Sequence, residues 1–204
     1  MGTVRLHNTA RNTTALGPGL RAAIWFQGCN RRCKGCMTPD SRPLDGGYVK
    51  DVDELYSEIR AINNIEGITI SGGEPFLQIQ ALYDLLSKIR SETDLGVIIY
   101  TGNTMDQLKG MQDPLVDEII TSLADIIIDG EYVDELNDGG SLKGSSNQVV
   151  NYITDRYKEY EELYNSKKRN IQVIIDKDKA LLIGIPDRKT LETWKLTTEL
   201  LKGE

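Results

Sequence analysis

Residues 22–36 read AAIWFQGCNRRCKGC, an apolar run followed at once by three cysteines. The run Ala22–Gln27 has the length and composition of a buried strand. Cys29, Cys33 and Cys36 follow with the spacing C-x3-C-x2-C, and the chain has no other cysteine. Three thiolates on one loop can hold three irons of a [4Fe–4S] cube. The fourth iron would then lack a protein ligand and could bind a small molecule.

A zinc site and buried free thiols are the alternatives for these cysteines. Structural zinc normally takes four protein ligands. The only histidine, His7, precedes the loop in a polar segment, and its spacing does not suggest a ligand. The residues between the cysteines are polar and largely basic, so the loop does not suit a hydrophobic core. The cysteines alone favour an iron–sulfur cluster and leave a zinc site open.

The composition is that of an ordinary globular domain. Hydrophobic residues are 39% and charged residues 27% of the 204 residues, which suits one domain with a sizeable core. The net charge of −7 makes a nucleic-acid partner unexpected. No apolar run is long enough for a membrane span, and Met1–Arg11 lacks a signal-peptide pattern. Three cysteines, an odd number, do not suit a disulfide framework, and free thiols indicate a cytoplasmic location.

Short apolar runs alternate with helical patterns, which predicts an α/β fold with a parallel sheet. The predicted strands are Ala22–Gln27, Ile68–Ser71, Val97–Thr101, Asp125–Asp129, Ile171–Asp176 and Ala180–Ile185. The predicted helices are Asp51–Asn63, Gln78–Arg90, Thr154–Ser166 and Asp187–Leu201. In folds of this kind the chemistry gathers at the C-terminal ends of the strands, where the cysteine loop lies.

A second segment, ITISGGEP at residues 68–75, also ends a predicted strand. Gly72 and Gly73 would let a ligand approach the backbone, and Glu74 can accept a charge-assisted hydrogen bond from an amine. An ordinary strand-to-helix turn, with Glu74 favoured by the helix dipole, is the other interpretation. Taken alone, this segment does not decide between them.

Together the two segments resemble the radical S-adenosylmethionine enzymes. In that superfamily the C-x3-C-x2-C loop holds a [4Fe–4S] cluster, and a Gly-Gly-Glu segment contacts the methionyl amine of S-adenosylmethionine. Further stretches are similar to the small activating enzymes of anaerobic ribonucleotide reductase. These stretches are Gly17–Arg21, Trp25–Cys29, Lys34–Cys36, Ile128–Leu136 and Leu142–Val150. The resemblance runs from about Gly17 to Val150.

Two features depart from that family pattern. After the third cysteine the family usually has Asn-Pro and, shortly after, an aromatic residue, whereas this chain has Thr38 and Arg42 at those places. The smallest family members also end near the segment Gly144–Gln148, whereas this chain continues for some fifty residues. Both departures fall in parts that we expect to meet the substrate protein.

The resemblance implies a partial (β/α)6-type radical S-adenosylmethionine barrel with a mostly parallel, open sheet. Residues 1–204 would form one domain, with residues 151–204 as a helix–strand–strand–helix extension. Reductive cleavage of S-adenosylmethionine at the cluster would give a 5′-deoxyadenosyl radical. That radical would generate a glycyl radical on a partner such as anaerobic ribonucleotide reductase. A flavodoxin or ferredoxin would supply the electron, and no nucleic acid or membrane would be involved.

The resemblance also implies the site residues. Cys29, Cys33 and Cys36 are the expected cluster ligands and catalytic centre. The expected S-adenosylmethionine contacts are Gly72, Gly73, Glu74, Met37, Tyr100, Thr101 and Asp129. The last four also have ordinary interpretations: Met37 as apolar filler, Tyr100 and Thr101 as a capped strand end, and Asp129 as a turn residue.

Two other functions stay open from the sequence. The first is a radical enzyme acting on a small molecule, as a deazaguanine synthase does, or on a peptide. Peptide-modifying members often carry extra clusters, for which this chain has no cysteines left. The second is a non-enzymatic iron–sulfur or zinc module, against which the Gly72-Gly73-Glu74 segment argues.

Overall fold

The computed structural model describes residues 2–140, 142–166, 169–176 and 179–202. Its strands are β1 (Thr3–Thr13), β2 (Arg21–Phe26), β3 (Tyr48–Asp51), β4 (Gly67–Gly72), β5 (Gly96–Tyr100), β6 (Ile126–Asp129), β7 (Val149–Tyr152), β8 (Ile171–Asp176) and β9 (Lys179–Gly184). Its α-helices are α1 (Val52–Arg60), α2 (Ile79–Glu92), α3 (Met105–Gly110), α4 (Pro114–Glu118), α5 (Glu161–Asn165) and α6 (Arg188–Lys202). All six predicted strands are confirmed.

Seven strands form one open sheet in the order β3-β1-β2-β4-β5-β6-β7. The four central strands, β2, β4, β5 and β6, are parallel, as predicted. Strands β1, β3 and β7 pair antiparallel at the two sides of this parallel centre and were not predicted. Their side chains are largely polar or exposed, so the apolar runs used for prediction do not mark them.

Both faces of the central strands are buried. Ile24 and Phe26 of β2 pack with α1 and α2 on one face, whereas Ala23 and Trp25 pack in a second cluster. The same alternation holds in β6, where Ile127 joins the first cluster and its two neighbours join a third. Successive residues of a strand point to opposite faces, so burial on both faces gives continuous apolar runs. This is why the central strands were predictable.

Two of the predicted helices show how far local sequence predicts helix type and position. Asp51 caps α1, because its carboxylate accepts from the backbone N–H groups of Asp53 and Glu54. The helix predicted over Thr154–Ser166 is instead a 3₁₀-helix, Asp155–Tyr160, followed by α5. Side chains three residues apart eclipse in a 3₁₀-helix, and the Tyr157 and Tyr160 rings meet there with centroids 6.1 Å apart.

Strands β8 and β9 form a separate antiparallel hairpin, with Ile171 opposite Gly184. A turn was predicted at Lys177-Asp178-Lys179, of which Lys177 and Asp178 lie outside the described residues. Within the described ranges, no helix is both long and apolar enough to cross a membrane.

Candidate active site

The cysteine loop leaves the C-terminal end of β2 and is fastened at its base by backbone hydrogen bonds. The N–H of Gly28 donates to Ser41 O at 2.7 Å, and that of Cys29 donates to Arg42 O at 3.0 Å. The N–H of Glu74 donates to Gly28 O at 2.8 Å. The loop is therefore joined directly to the Gly-Gly-Glu turn at the end of the neighbouring strand β4.

One pocket brings these two segments together. Its lining includes nearly all the predicted site residues: Cys29, Cys33, Cys36, Met37, Gly72, Gly73, Glu74, Tyr100 and Thr101. Asp129 is the exception among them. Its Oδ2 accepts from the backbone N–H of Met105 at 2.6 Å, at the start of α3, and the next residue, Gly130, lines the pocket instead.

Both glycines of the turn lie in close contact with the cysteine loop and β2. A Cβ on Gly73 would lie 2.1 Å from Gly28 O, and a Cβ on Gly72 would lie 2.4 Å from Phe26 N. Gly72 also has a φ of +108°, which side chains rarely allow. The two segments can approach this closely only because both positions lack side chains.

Glu74 is buried, and its carboxylate is held by the chain itself. Oε1 accepts from Thr101 Oγ1 at 2.8 Å and from Phe76 N at 3.1 Å, and Oε2 accepts from Gly102 N at 2.9 Å. Burial raises the pKa of Glu74, although these hydrogen bonds and nearby Arg31 act in the opposite direction. A carboxylate has about four acceptor positions, so one is left for a ligand.

Arg31 is a site residue that the sequence did not single out. It lies between Cys29 and Cys33, lines the pocket, and donates through Nη2 to Asn103 Oδ1 at 2.8 Å. Its Nη1 is 3.4 Å from Glu131 Oε2. Its buried Nε lies 3.9 Å from Glu74 Oε2 and has no hydrogen-bond partner among the described residues. A basic residue in a polar loop gives no sequence signal of this kind, because its partners come from two other strand ends.

The donor set fits an iron–sulfur cluster. Three thiols on one loop face a pocket that also exposes a glycine turn. Among the described residues, no three His, Cys, Asp or Glu side chains converge closely enough to share one metal ion. The cysteines of a cube each bind a different iron, so thiols arranged for a cluster need not converge in this way.

Comparison with known proteins gives the same result. A profile described as "4Fe-4S single cluster domain" matches residues 15–151. The anaerobic ribonucleoside-triphosphate reductase-activating protein of Salmonella typhimurium is 31% identical over 146 residues, which cover 67% of this chain and 91% of that protein. The chain belongs to the radical S-adenosylmethionine activating enzymes. Its cofactors are accordingly a [4Fe–4S] cluster and S-adenosylmethionine.

Other relatives come from the same group of activating enzymes. The anaerobic ribonucleoside-triphosphate reductase-activating protein of Vibrio cholerae is 29% identical over 146 residues, covering 68% of this chain and 91% of the relative. The pyruvate formate-lyase-activating enzyme of Clostridium pasteurianum is 32% identical over 93 residues, which cover 43% of this chain and 39% of the relative. The match therefore spans most of the reductase-activating relatives and only part of the formate-lyase-activating relative.

In this radical S-adenosylmethionine enzyme the pKa values of two thiols, Cys29 and Cys33, are raised above the ordinary value of a cysteine. Burial and the carboxylate of Glu131 raise the pKa of Cys33 to about 11, and Cys33 Sγ donates to Glu131 Oε1 at 3.4 Å. Burial also raises the pKa of Cys29. Thiolates are the ligands for iron, so cluster assembly has to release these protons.

Alkylation should reveal the high pKa of Cys33. In the cluster-free protein we expect the iodoacetamide rate at Cys33 to rise with pH to a midpoint of about 11. Glu131→Gln should lower that midpoint, because the amide removes the nearby negative charge. Peptide mass spectrometry over a pH series measures both. An identical midpoint in the two proteins would show that Glu131 does not influence the thiol.

Glu74→Gln should weaken cofactor binding and leave the cluster intact. The amide keeps the volume but loses the charge and one acceptor oxygen, so we expect about tenfold weaker S-adenosylmethionine binding. Equilibrium dialysis without reductant, alongside iron and sulfide analysis, tests this. Glu118→Gln is the control for the same chemical change, because Glu118 accepts a hydrogen bond from Tyr83 and lies outside the pocket. Unchanged affinity in Glu74→Gln would remove its carboxylate from the cofactor site.

Proposed function

We propose that this enzyme generates a glycyl radical on a partner enzyme of the anaerobic ribonucleotide reductase class. The observation that carries the proposal is a single pocket lined both by three cysteines and by the Gly-Gly-Glu turn. The cysteines follow β2 and the turn ends β4, and these two strands are parallel neighbours. The ends of parallel strands are where α/β folds bind ligands.

Each part of the pocket has a role in this proposal. When bound, the cluster and S-adenosylmethionine supply a one-electron cleavage that leads to hydrogen abstraction from a glycine Cα. Cys29, Cys33 and Cys36 hold the cluster. Cofactor contacts are assigned to Gly72, Gly73, Glu74, Met37, Tyr100 and Thr101. Asp129 is not among the lining residues of the pocket, and we assign it the role of holding the start of α3.

Apolar side chains in the lining of the pocket exclude water. Leu16, Trp25 and Ile185 line the pocket, and all three are buried. A reactive radical requires such shielding, since side reactions compete with abstraction. Close positioning of the target carbon supplies much of the rate.

The reductase class is the better match for the partner. The reductase-activating relatives align over 91% of their length, whereas the formate-lyase-activating relative aligns over 39%. A flavodoxin or ferredoxin as electron donor and a cytoplasmic location belong to the same proposal, because free thiols and a reducible cluster suit a reducing compartment. So does a partial (β/α)6-type barrel, for which the parallel strands β2, β4, β5 and β6 are the support.

Anaerobic reconstitution tests the proposal. The protein is loaded with iron and sulfide, reduced with dithionite, and incubated with S-adenosylmethionine and a candidate anaerobic reductase. We expect 5′-deoxyadenosine together with a glycyl-radical signal in electron paramagnetic resonance. Cleavage without a radical on any glycyl-radical enzyme would refute the assigned partner. No cleavage from a protein with a full cluster, with or without partners, would refute the radical chemistry.

A further inference from the structure

The hairpin β8–β9 packs on the sheet face opposite α1 and α2. Ile183 of β9 is buried in one cluster with Ala15, Leu16 and Trp25. Two polar side chains add contacts at the end of β1. Asn170 Nδ2 donates to Thr14 O at 3.3 Å, and Gln172 Nε2 donates to Asn12 O at 3.1 Å. The hairpin is thus seated on the β1–β2 side of the sheet.

Arg169, just before the hairpin, contacts the loop between β6 and β7. Its Nε donates to Gly140 O at 2.8 Å, and its Nη2 donates to Asn137 Oδ1 at 2.7 Å. Its Nη1 donates to Pro186 O at 3.0 Å, just after the hairpin. Gly140 and Asn137 belong to the loop between β6 and β7. One half-buried guanidinium therefore joins both ends of the hairpin to that loop.

Arg188, at the start of α6, makes a second attachment to the same loop. Its Nη2 donates to Asp134 O at 2.6 Å and lies 3.2 Å from Asp134 Oδ2. The hairpin consequently spans the distance from β1–β2 to the loop after β6. This connection crosses the sheet on the face opposite α1 and α2.

The crossing places the end of β9 in the reaction pocket. Gly184 and Ile185 line it together with Leu16 and Trp25. A Cβ on Gly184 would lie 2.5 Å from Asn170 O, and its φ is +113°, so the strand end lies close against the start of the hairpin. The wall is apolar and close-fitting at this point.

We propose that the hairpin β8–β9 is the substrate-side wall of the pocket, with Ile185 determining specificity and Arg169 acting as a positioning residue. The assignment to the substrate side rests on the match of residues 15–151, which contains the three cysteines and the Gly-Gly-Glu turn, whereas the hairpin lies outside it. An added apolar wall narrows the pocket for a backbone segment without a side chain, which is what a target glycine presents. The substrate class rests on the proposed function.

The fluorescence of Trp25 tests whether the hairpin covers the pocket, and the measurement needs neither cofactor nor partner. The chain has two tryptophans, so Trp194→Phe leaves Trp25 as the only one. In that background, Ile185→Ala and Arg169→Met should raise the acrylamide quenching constant of Trp25 at least about twofold, because a buried side chain becomes accessible. Arg156→Met is the matched control, because Arg156 pairs with Glu66 outside the pocket and lies in the same C-terminal segment. An unchanged quenching constant in both variants would overturn the proposal that the hairpin forms a wall of the pocket.

The ratio of 5′-deoxyadenosine to glycyl radical, here called coupling, tests whether the hairpin faces the substrate. In reconstituted enzyme with its reductase, both variants should form several-fold more 5′-deoxyadenosine per glycyl radical, with S-adenosylmethionine affinity unchanged. Reduced affinity with unchanged coupling would move the wall to the cofactor side and overturn the proposal. If the unmodified enzyme forms no glycyl radical on any partner, the proposed function and the glycine substrate both fail. The quenching result would still show whether the hairpin forms a wall of the pocket.

Discussion

Cys33→Ala is expected to leave the protein without a [4Fe–4S] cluster and without S-adenosylmethionine cleavage above background. Cys33 is the central thiol of the loop and lines the same pocket as the other two cysteines. Its loss leaves two thiols on the loop, and two thiolates hold iron poorly. Iron and sulfide content after anaerobic reconstitution, together with 5′-deoxyadenosine formation, measures both effects.

Asn30→Ala is the matched control for this experiment. Asn30 is exposed in the same loop and lies between the first two cysteines. We expect this variant to take up the cluster and to cleave S-adenosylmethionine like the unmodified protein. A Cys33→Ala protein that bound a complete cube and retained cleavage would disprove the assignment of Cys33 as a ligand.

Arg21→Met is expected to cause the largest loss of stability. The Arg21 side chain is fully buried at the start of β2 and donates five hydrogen bonds. Its acceptors are Thr69 Oγ1, the Tyr157 hydroxyl and three backbone carbonyls, those of Pro18, Ile68 and Gly96. It therefore joins β2 to β4, to β5 and to the C-terminal segment at one buried point.

Methionine would fill the space but donate nothing. Several buried acceptors would lose a partner, and each such loss costs about 1–3 kcal/mol, so we expect the free energy of unfolding to fall by about 3 kcal/mol or more. Urea denaturation of the cluster-free protein measures this directly. The mutant should unfold at markedly lower urea concentration with a similar slope.

Two further variants define the cause. Arg21→Lys keeps the charge but has three donors on one nitrogen, so an intermediate loss is expected. Arg60→Met removes an exposed pair with Glu92 and should cost about 1 kcal/mol or less. Equal effects of Arg21→Met and Arg60→Met would show that the buried network contributes little to stability.

Local sequence was sufficient wherever burial was uniform or a motif was contiguous. The four central strands bury both faces and so appear as apolar runs, and Asp51 caps α1 within its own segment. Strand β1 was missed because its few buried apolar residues, such as Val4 and Leu6, do not form a continuous apolar run. The segment Thr154–Ser166 forms a 3₁₀-helix followed by α5, and Tyr157 within it accepts a hydrogen bond from Arg21, 136 residues away.

The site shows the same division between local and distant contacts. The C-x3-C-x2-C loop and the Gly-Gly-Glu turn are contiguous, and both predicted segments line the pocket. Arg31, Glu131 and Ile185 were not foreseen, because each acquires its place only when distant segments meet. Asp129 was expected to contact the cofactor, but the structure places its carboxylate on the backbone of Met105.

The sequence by itself determined the parallel centre of the sheet, because uniform burial is written in consecutive residues. Its two contiguous motifs also carried the resemblance that implied the cofactors. Only the tertiary structure decided why Gly73 must be glycine, since a Cβ would meet Gly28 O of another strand end. The position of the hairpin β8–β9 at the pocket is likewise visible only in the tertiary structure. There Arg169 donates hydrogen bonds to Asn137 and Gly140, about thirty residues earlier in the chain. Contacts between residues far apart in sequence leave no periodic signal, and these contacts bring the end of β9 into the pocket lining.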